Sequence, residues 1–141
     1  MGYPVVRFEI SGRDGTALRR FYSDLFGWVI DTSAIPFYGI VPREGNTNAA
    51  GIGIAGAVSD VPERPSTTWR GATRSDGYPG HVTIYVEVPE VEAALRHAES
   101  LGGARMLGPD DVGGGVVIGL FTDPEGRLIG LVGSDASDRA A

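Results

Sequence analysis

The chain has 141 residues, 22 of them glycine, with no cysteine and with arginine as all twelve of its basic residues. An apolar fraction of 42% with 21% charge is a globular composition of one-domain length. The net charge of −6 excludes a nucleic-acid or anionic-membrane surface, and the missing residue types exclude thiolate, disulfide, iron–sulfur, Schiff-base and Walker-lysine chemistry.

In chain order, Val6, Phe8 and Ile10 alternate with Arg7, Glu9 and Ser11, the period of a half-buried strand. Asp14 then suits a helix N-cap, Leu18, Phe21, Tyr22 and Leu25 follow at helical spacing, and Gly27 stops the helix. Strands are expected at Trp28–Thr32, Phe37–Val41 and Gly51–Ala57. The same grammar returns from Val82: Ile84, Val86 and Val88 alternate with Thr83, Tyr85 and Glu87. Pro89 suits a helix start, Val91, Ala94, Leu95, Ala98 and Leu101 form an apolar stripe, and Gly102-Gly103 end it. Strands are expected at Ala104–Leu107, Val116–Phe121 and Leu128–Val132, with Gly113-Gly114-Gly115 and Asp123-Pro124-Glu125-Gly126 as turns. Residues 7–28 align without a gap on 83–104, an offset of 76, so each half reads β-α-β-β-β. The first module takes 1–57 and the second 80–133. Residues 58–79, with Pro62, Pro65 and Pro79, join them, and 134–141 is a solvated tail. No apolar run is long enough to span a membrane, and the N-terminus lacks the basic and apolar regions of a signal peptide, so a cytoplasmic address is expected.

The paired modules resemble the vicinal oxygen chelate superfamily, which includes glyoxalase I, bleomycin- and fosfomycin-resistance proteins and extradiol dioxygenases. The resemblance rests on Arg13-Asp14, on Phe21-Tyr22-Ser23-Asp24-Leu25-Phe26-Gly27-Trp28, on Val88-Pro89-Glu90-Val91-Glu92-Ala93-Ala94 and on Asp123-Pro124-Glu125-Gly126. It implies an α+β, glyoxalase-like fold in which two βαβββ modules form a curved, mostly antiparallel sheet around a central cleft. It also implies a homodimer. Enzymes of the superfamily hold a divalent metal with one residue from the first strand of each module and one from the last. Carried over by spacing, these positions fall on Arg7, Thr83 and Gly130, which supply no good ligand, and Gly51–Gly56 offers none either. No metal is therefore expected at the inherited site.

Strand alternation places Arg7, Glu9, Ser11, Thr83, Tyr85 and Glu87 on the face opposite the helices. Arg7, Glu9, Thr83, Tyr85 and Glu87 are the expected polar ligand contacts, with Trp69 and Tyr78 as apolar walls. The competing reading is that Arg7 pairs with Glu9 or Glu87 and only neutralises this face. His81 is either a strand-start histidine or, with Glu9 and Glu87, a catalytic candidate. His97 sits mid-helix as a surface or partly buried residue. Tyr38 is an aromatic near a loop. Gly51-Ile52-Gly53-Ile54-Ala55-Gly56 matches G-x-G-x-x-G, but a polar turn precedes it and prolines follow, so it is no dinucleotide loop.

Two functions follow. One is a glyoxalase/bleomycin-resistance-like protein binding a small organic molecule in the inter-module cleft without metal. The other is a metal-dependent lyase or dioxygenase with its metal moved to His81, Glu9 and Glu87.

Overall fold

The computed structural model describes residues 2–61 and 78–134. The elements run β1 (Val5–Gly12), α1 (Gly15–Phe26), β2 (Tyr38–Val41), a 3-10 turn (Arg43–Gly45), β3 (Ala55–Asp60), β4 (His81–Glu87), α2 (Val91–Ser100), β5 (Ala104–Asp111), β6 (Val116–Thr122) and β7 (Leu128–Ser134). The fold is α+β, with strand pairs that are mostly antiparallel.

The chain divides into two compact units. The first takes in Val6–Pro62 and Pro79–Thr83, and the second holds the rest of the described residues. In the first, the strand order is β2-β3-β1. β1 lies parallel to β3, with Phe8 opposite Gly56, and β2 runs antiparallel to β3. Asp14 caps α1 by accepting the Ala17 N–H at 3.0 Å, and Gly27 ends it in the left-handed region at φ 71°. A glycine meets that φ without the Cβ clash any other residue carries. Asp60 ties this helix to β3 by accepting from the Gly15 N–H and from Arg19 at 3.0 Å. The rings of Phe8, Tyr22, Phe26 and Trp28 pack in a chain of contacts 5.1–5.9 Å apart, which seats α1 on β1.

Two expected strands differ. Trp28–Thr32 forms only an isolated bridge, Asp31 to Ile40, because Asp31 turns its carboxylate back onto Ser33 and closes a local turn. The strand expected at Gly51–Ala57 begins at Ala55 and runs to Asp60. Gly51-Ile52-Gly53-Ile54 belongs instead to a loop tied by Asn46 Nδ2 donating to Ile54 O and by Asn48 Oδ1 accepting from Ile52 N–H. Gly53 has no side chain because a Cβ there would collide with Asn46 O.

The second unit orders its strands β4-β7-β6-β5, with β4 parallel to β7 and the other pairs antiparallel. Glu90, rather than Pro89, is the N-cap of α2, accepting from the Glu92 and Ala93 N–H groups. One face of this sheet packs Val88 and Leu131 against Val91 and Leu95 of α2, with Val86, Ala94, Val117 and Phe121 around them. The opposite face gathers Tyr85, Leu107, Leu120 and Leu128. Among the described residues, no helix is long and apolar enough to cross a membrane.

Candidate ligand site

The first unit sets polar side chains of β1 beside Tyr38 of β2 and His81 of β4. Glu9 Oε1 meets His81 Nε2 at 2.8 Å, and His81 Nδ1 lies 3.2 Å from Ser11 Oγ, which also accepts the His81 backbone N–H at 3.2 Å. The Tyr38 phenol, on β2, lies close enough to Arg7 and Glu9 for their opposite charges to act on it. Residues 7, 9 and 11 share one face because side chains alternate along a strand, and the paired strands supply Tyr38 and His81 from either side. The Glu9 and His81 side chains are mostly buried, 13% and 18% exposed.

The directions of these bonds follow from donor inventory. Arg7, always cationic, favours the ionised phenolate of Tyr38, and the Glu9 carboxylate opposes it. Burial raises the Tyr38 phenol above its usual value, and the Glu9 carboxylate adds to this, so the phenol stays a neutral donor. An ionised Glu9 only accepts, so His81 Nε2 carries a proton. Nδ1 then accepts from the Ser11 hydroxyl in the neutral imidazole, or donates to it in the cation.

The other expected site residues are placed as follows. Thr83 is buried at 4% exposure, and Tyr85, at 5%, is a core residue packed on Leu107, Leu120 and Leu128. Glu87 is exposed in the second unit, where its N–H bonds Pro4 O. Tyr78 is half-buried in that unit too, and Trp69 lies outside the described residues. Among the described residues, no three His, Asp or Glu side chains come together as a metal-holding group. Sequence reasoning missed the part Tyr38 plays. It lies on a four-residue strand at a distant point in the chain, and only the β2–β3–β1 order carries it to Arg7 and Glu9.

Residues 7–132 match the glyoxalase-like domain family. The chain belongs to that family. This glyoxalase-like chain is 28% identical over 123 residues to a "Putative glyoxylase CFP32" of Mycobacterium tuberculosis, a match covering 87% of this chain and 42% of that protein. It is 27% identical over 128 residues to the "Anthracycline biosynthesis protein DnrV" of Streptomyces peucetius, covering 88% of this chain and 44% of that one. The chain thus spans less than half the length of the curated relatives it matches. Among solved structures, a glyoxalase/bleomycin resistance protein/dioxygenase superfamily member from Vibrio splendidus shares its fold at a TM-score of 0.55 and 14% identity, with 94% of this chain and 100% of that chain covered. Family and fold together place the chain in the vicinal oxygen chelate superfamily.

The metal common in that superfamily finds no fitting residues at the inherited positions. Arg7 is a cation and repels a second one. Thr83 offers a hydroxyl, a poorer donor than a carboxylate. Gly130 stands directly opposite Tyr85, and a Cβ built on it would lie 2.5 Å from the Tyr85 ring. A glutamate side chain has no room there while the ring stays in place.

Proposed function

We propose that the protein binds a small organic molecule on the polar face of β1, without a metal. Arg7 holds an anionic or carbonyl oxygen of the ligand, while Tyr38, Glu9 and His81 fix its orientation. The observation that carries this reading is the Glu9–His81–Ser11 hydrogen-bonded group with Arg7 and Tyr38 beside Glu9, which gathers a cation, a neutral phenol, a carboxylate and an imidazole on one face. Such convergent polar groups are what orients a ligand in an otherwise apolar protein. The reading includes a homodimer, supported by relatives more than twice as long as the stretch they share with this chain.

A second reading rests on the 2.8 Å Glu9–His81 contact. A carboxylate in hydrogen-bond contact with an imidazole is an arrangement used for general acid–base chemistry on a bound substrate.

Replacing Arg7 tests the first reading. With benzoate and a panel of small aromatic carboxylates as probes, Arg7→Ala is expected to weaken binding by about ten- to a hundredfold, the worth of a lost charge-assisted hydrogen bond. Its circular dichroism should match the wild type. Unchanged affinity would place the ligand elsewhere, and an unfolded variant would make Arg7 a structural residue.

A further inference from the structure

The second unit contains a groove of about 570 Å³ that the Arg7–His81 network does not touch. One wall is a single face of α2 and its flanks: Glu90, Ala93, Ala94, His97, Ala98 and Leu101 recur at three- and four-residue intervals. At 1.5 Å per residue, that face runs roughly 16 Å. Val86, Leu131, Phe121 and Ile129 line it from the sheet, and Tyr3 stands beside them. Three alanines on the helix, with Gly103 at its end, leave the space that larger side chains would fill.

Charge decides what suits it. Glu90 stands at one end and Asp123 at the other, and no arginine is among the described lining residues. The described arginines of this unit are engaged with other carboxylates: Arg96 and Arg105 with Glu92, Arg105 also with Glu99, and Arg127 with Glu125. Asp123 lines the groove while its Oδ1 accepts the N–H groups of Glu125 and Arg127. The Arg127 N–H is the main cause that holds this carboxyl below its usual range, so it is ionised at neutral pH. Glu90 spends both oxygens on capping α2.

From this geometry we propose that the groove is a second binding site, for an elongated apolar molecule that ends in a basic amine. The ammonium pairs with Asp123 and the hydrocarbon lies along the alanine face of α2 towards Glu90. A carboxylate-ended molecule of the same length meets only negative charge at either end.

Three probes of equal chain length separate the charge from the apolar body: n-octylamine, n-octanol and n-octanoate, each added to the full chain below its micelle concentration. Octylamine is expected to bind about fivefold more tightly than octanol, the upper range for an exposed ion pair, with octanoate weakest. The methyl NMR signals of Ala93, Ala94 and Ala98 should move on binding. Ala93→Trp, at an exposed position, should abolish those shifts with the rest of the spectrum kept. Asp123→Asn should lower octylamine to the affinity of octanol. Asp123→Ser, which keeps an oxygen for the turn, should do the same if the asparagine variant loses its native spectrum. Equal affinity for all three probes overturns the proposal. So do shifts confined to other residues, or an amine preference that survives in a natively folded Asp123 variant.

Discussion

Gly130→Ala is expected to cost about 2–3 kcal/mol of stability, although it adds one methyl group. The added Cβ would lie 2.5–2.9 Å from three atoms of the Tyr85 ring, inside any real carbon–carbon contact. The ring has nowhere to retreat, since it is 5% exposed and packed among Leu107, Leu120 and Leu128. Overpacking of a filled core costs about 1–3 kcal/mol, and the strand position is extended, so no gain from backbone rigidity offsets it fully. For a chain of this size, the midpoint of thermal unfolding should fall by roughly 6–10 °C. Tyr85→Leu combined with Gly130→Ala should cost less than the two changes summed, because the smaller side chain vacates the collision. A Gly130→Ala protein within 0.5 kcal/mol of the wild type would show that the ring moves freely, and that a larger side chain fits at this position.

Leu95→Ala should be costlier still, about 3–4 kcal/mol. Leu95 is 0% exposed and, with Val91, is where α2 packs on Val88 and Leu131. Truncating a fully buried leucine removes its transfer energy and leaves a cavity that a rigid surround fills only in part. Here the surround includes Gly119 of β6, whose missing side chain is what admits the leucine: a Cβ at 119 would lie 2.9 Å from Leu95 Cδ1. Gly119→Ala alone should therefore destabilise, while Gly119→Ala in the Leu95→Ala background should recover part of the loss. Denaturant unfolding of the four proteins measures this cycle. Strict additivity would contradict the contact.

The two glycines mark where the sequence was legible and where it was not. Alternation in Val82–Val88, the helical stripe from Val91 and the turn at Asp123–Gly126 all formed, because local periodicity and turn chemistry agree with tertiary packing there. Val86 packs towards α2 and Tyr85 to the opposite face, as strand period requires. Trp28–Thr32 failed as a strand because the Asp31–Ser33 side-chain bond competes locally with a ladder. Gly51–Ile54 failed because asparagines 46 and 48 hold it as a loop. Alternation also put Glu9 and Ser11 on one face but carried no hint that His81, seventy residues after Ser11, would bond both. Tyr38 was harder still, since nothing near it in the chain is polar and charged. Cross-strand register between distant segments is a tertiary fact, and a sequence with no partner strand in view does not contain it.

Metal content tests the central claim most directly. The protein, purified without chelator, should carry no stoichiometric metal by elemental analysis. Its thermal midpoint should not rise with Ni²⁺, Zn²⁺, Mn²⁺ or Fe²⁺, while the aromatic carboxylates that bind it should raise that midpoint. One equivalent of tightly held metal per chain, lost in His81→Ala, would contradict the account and make Glu9 and His81 metal ligands.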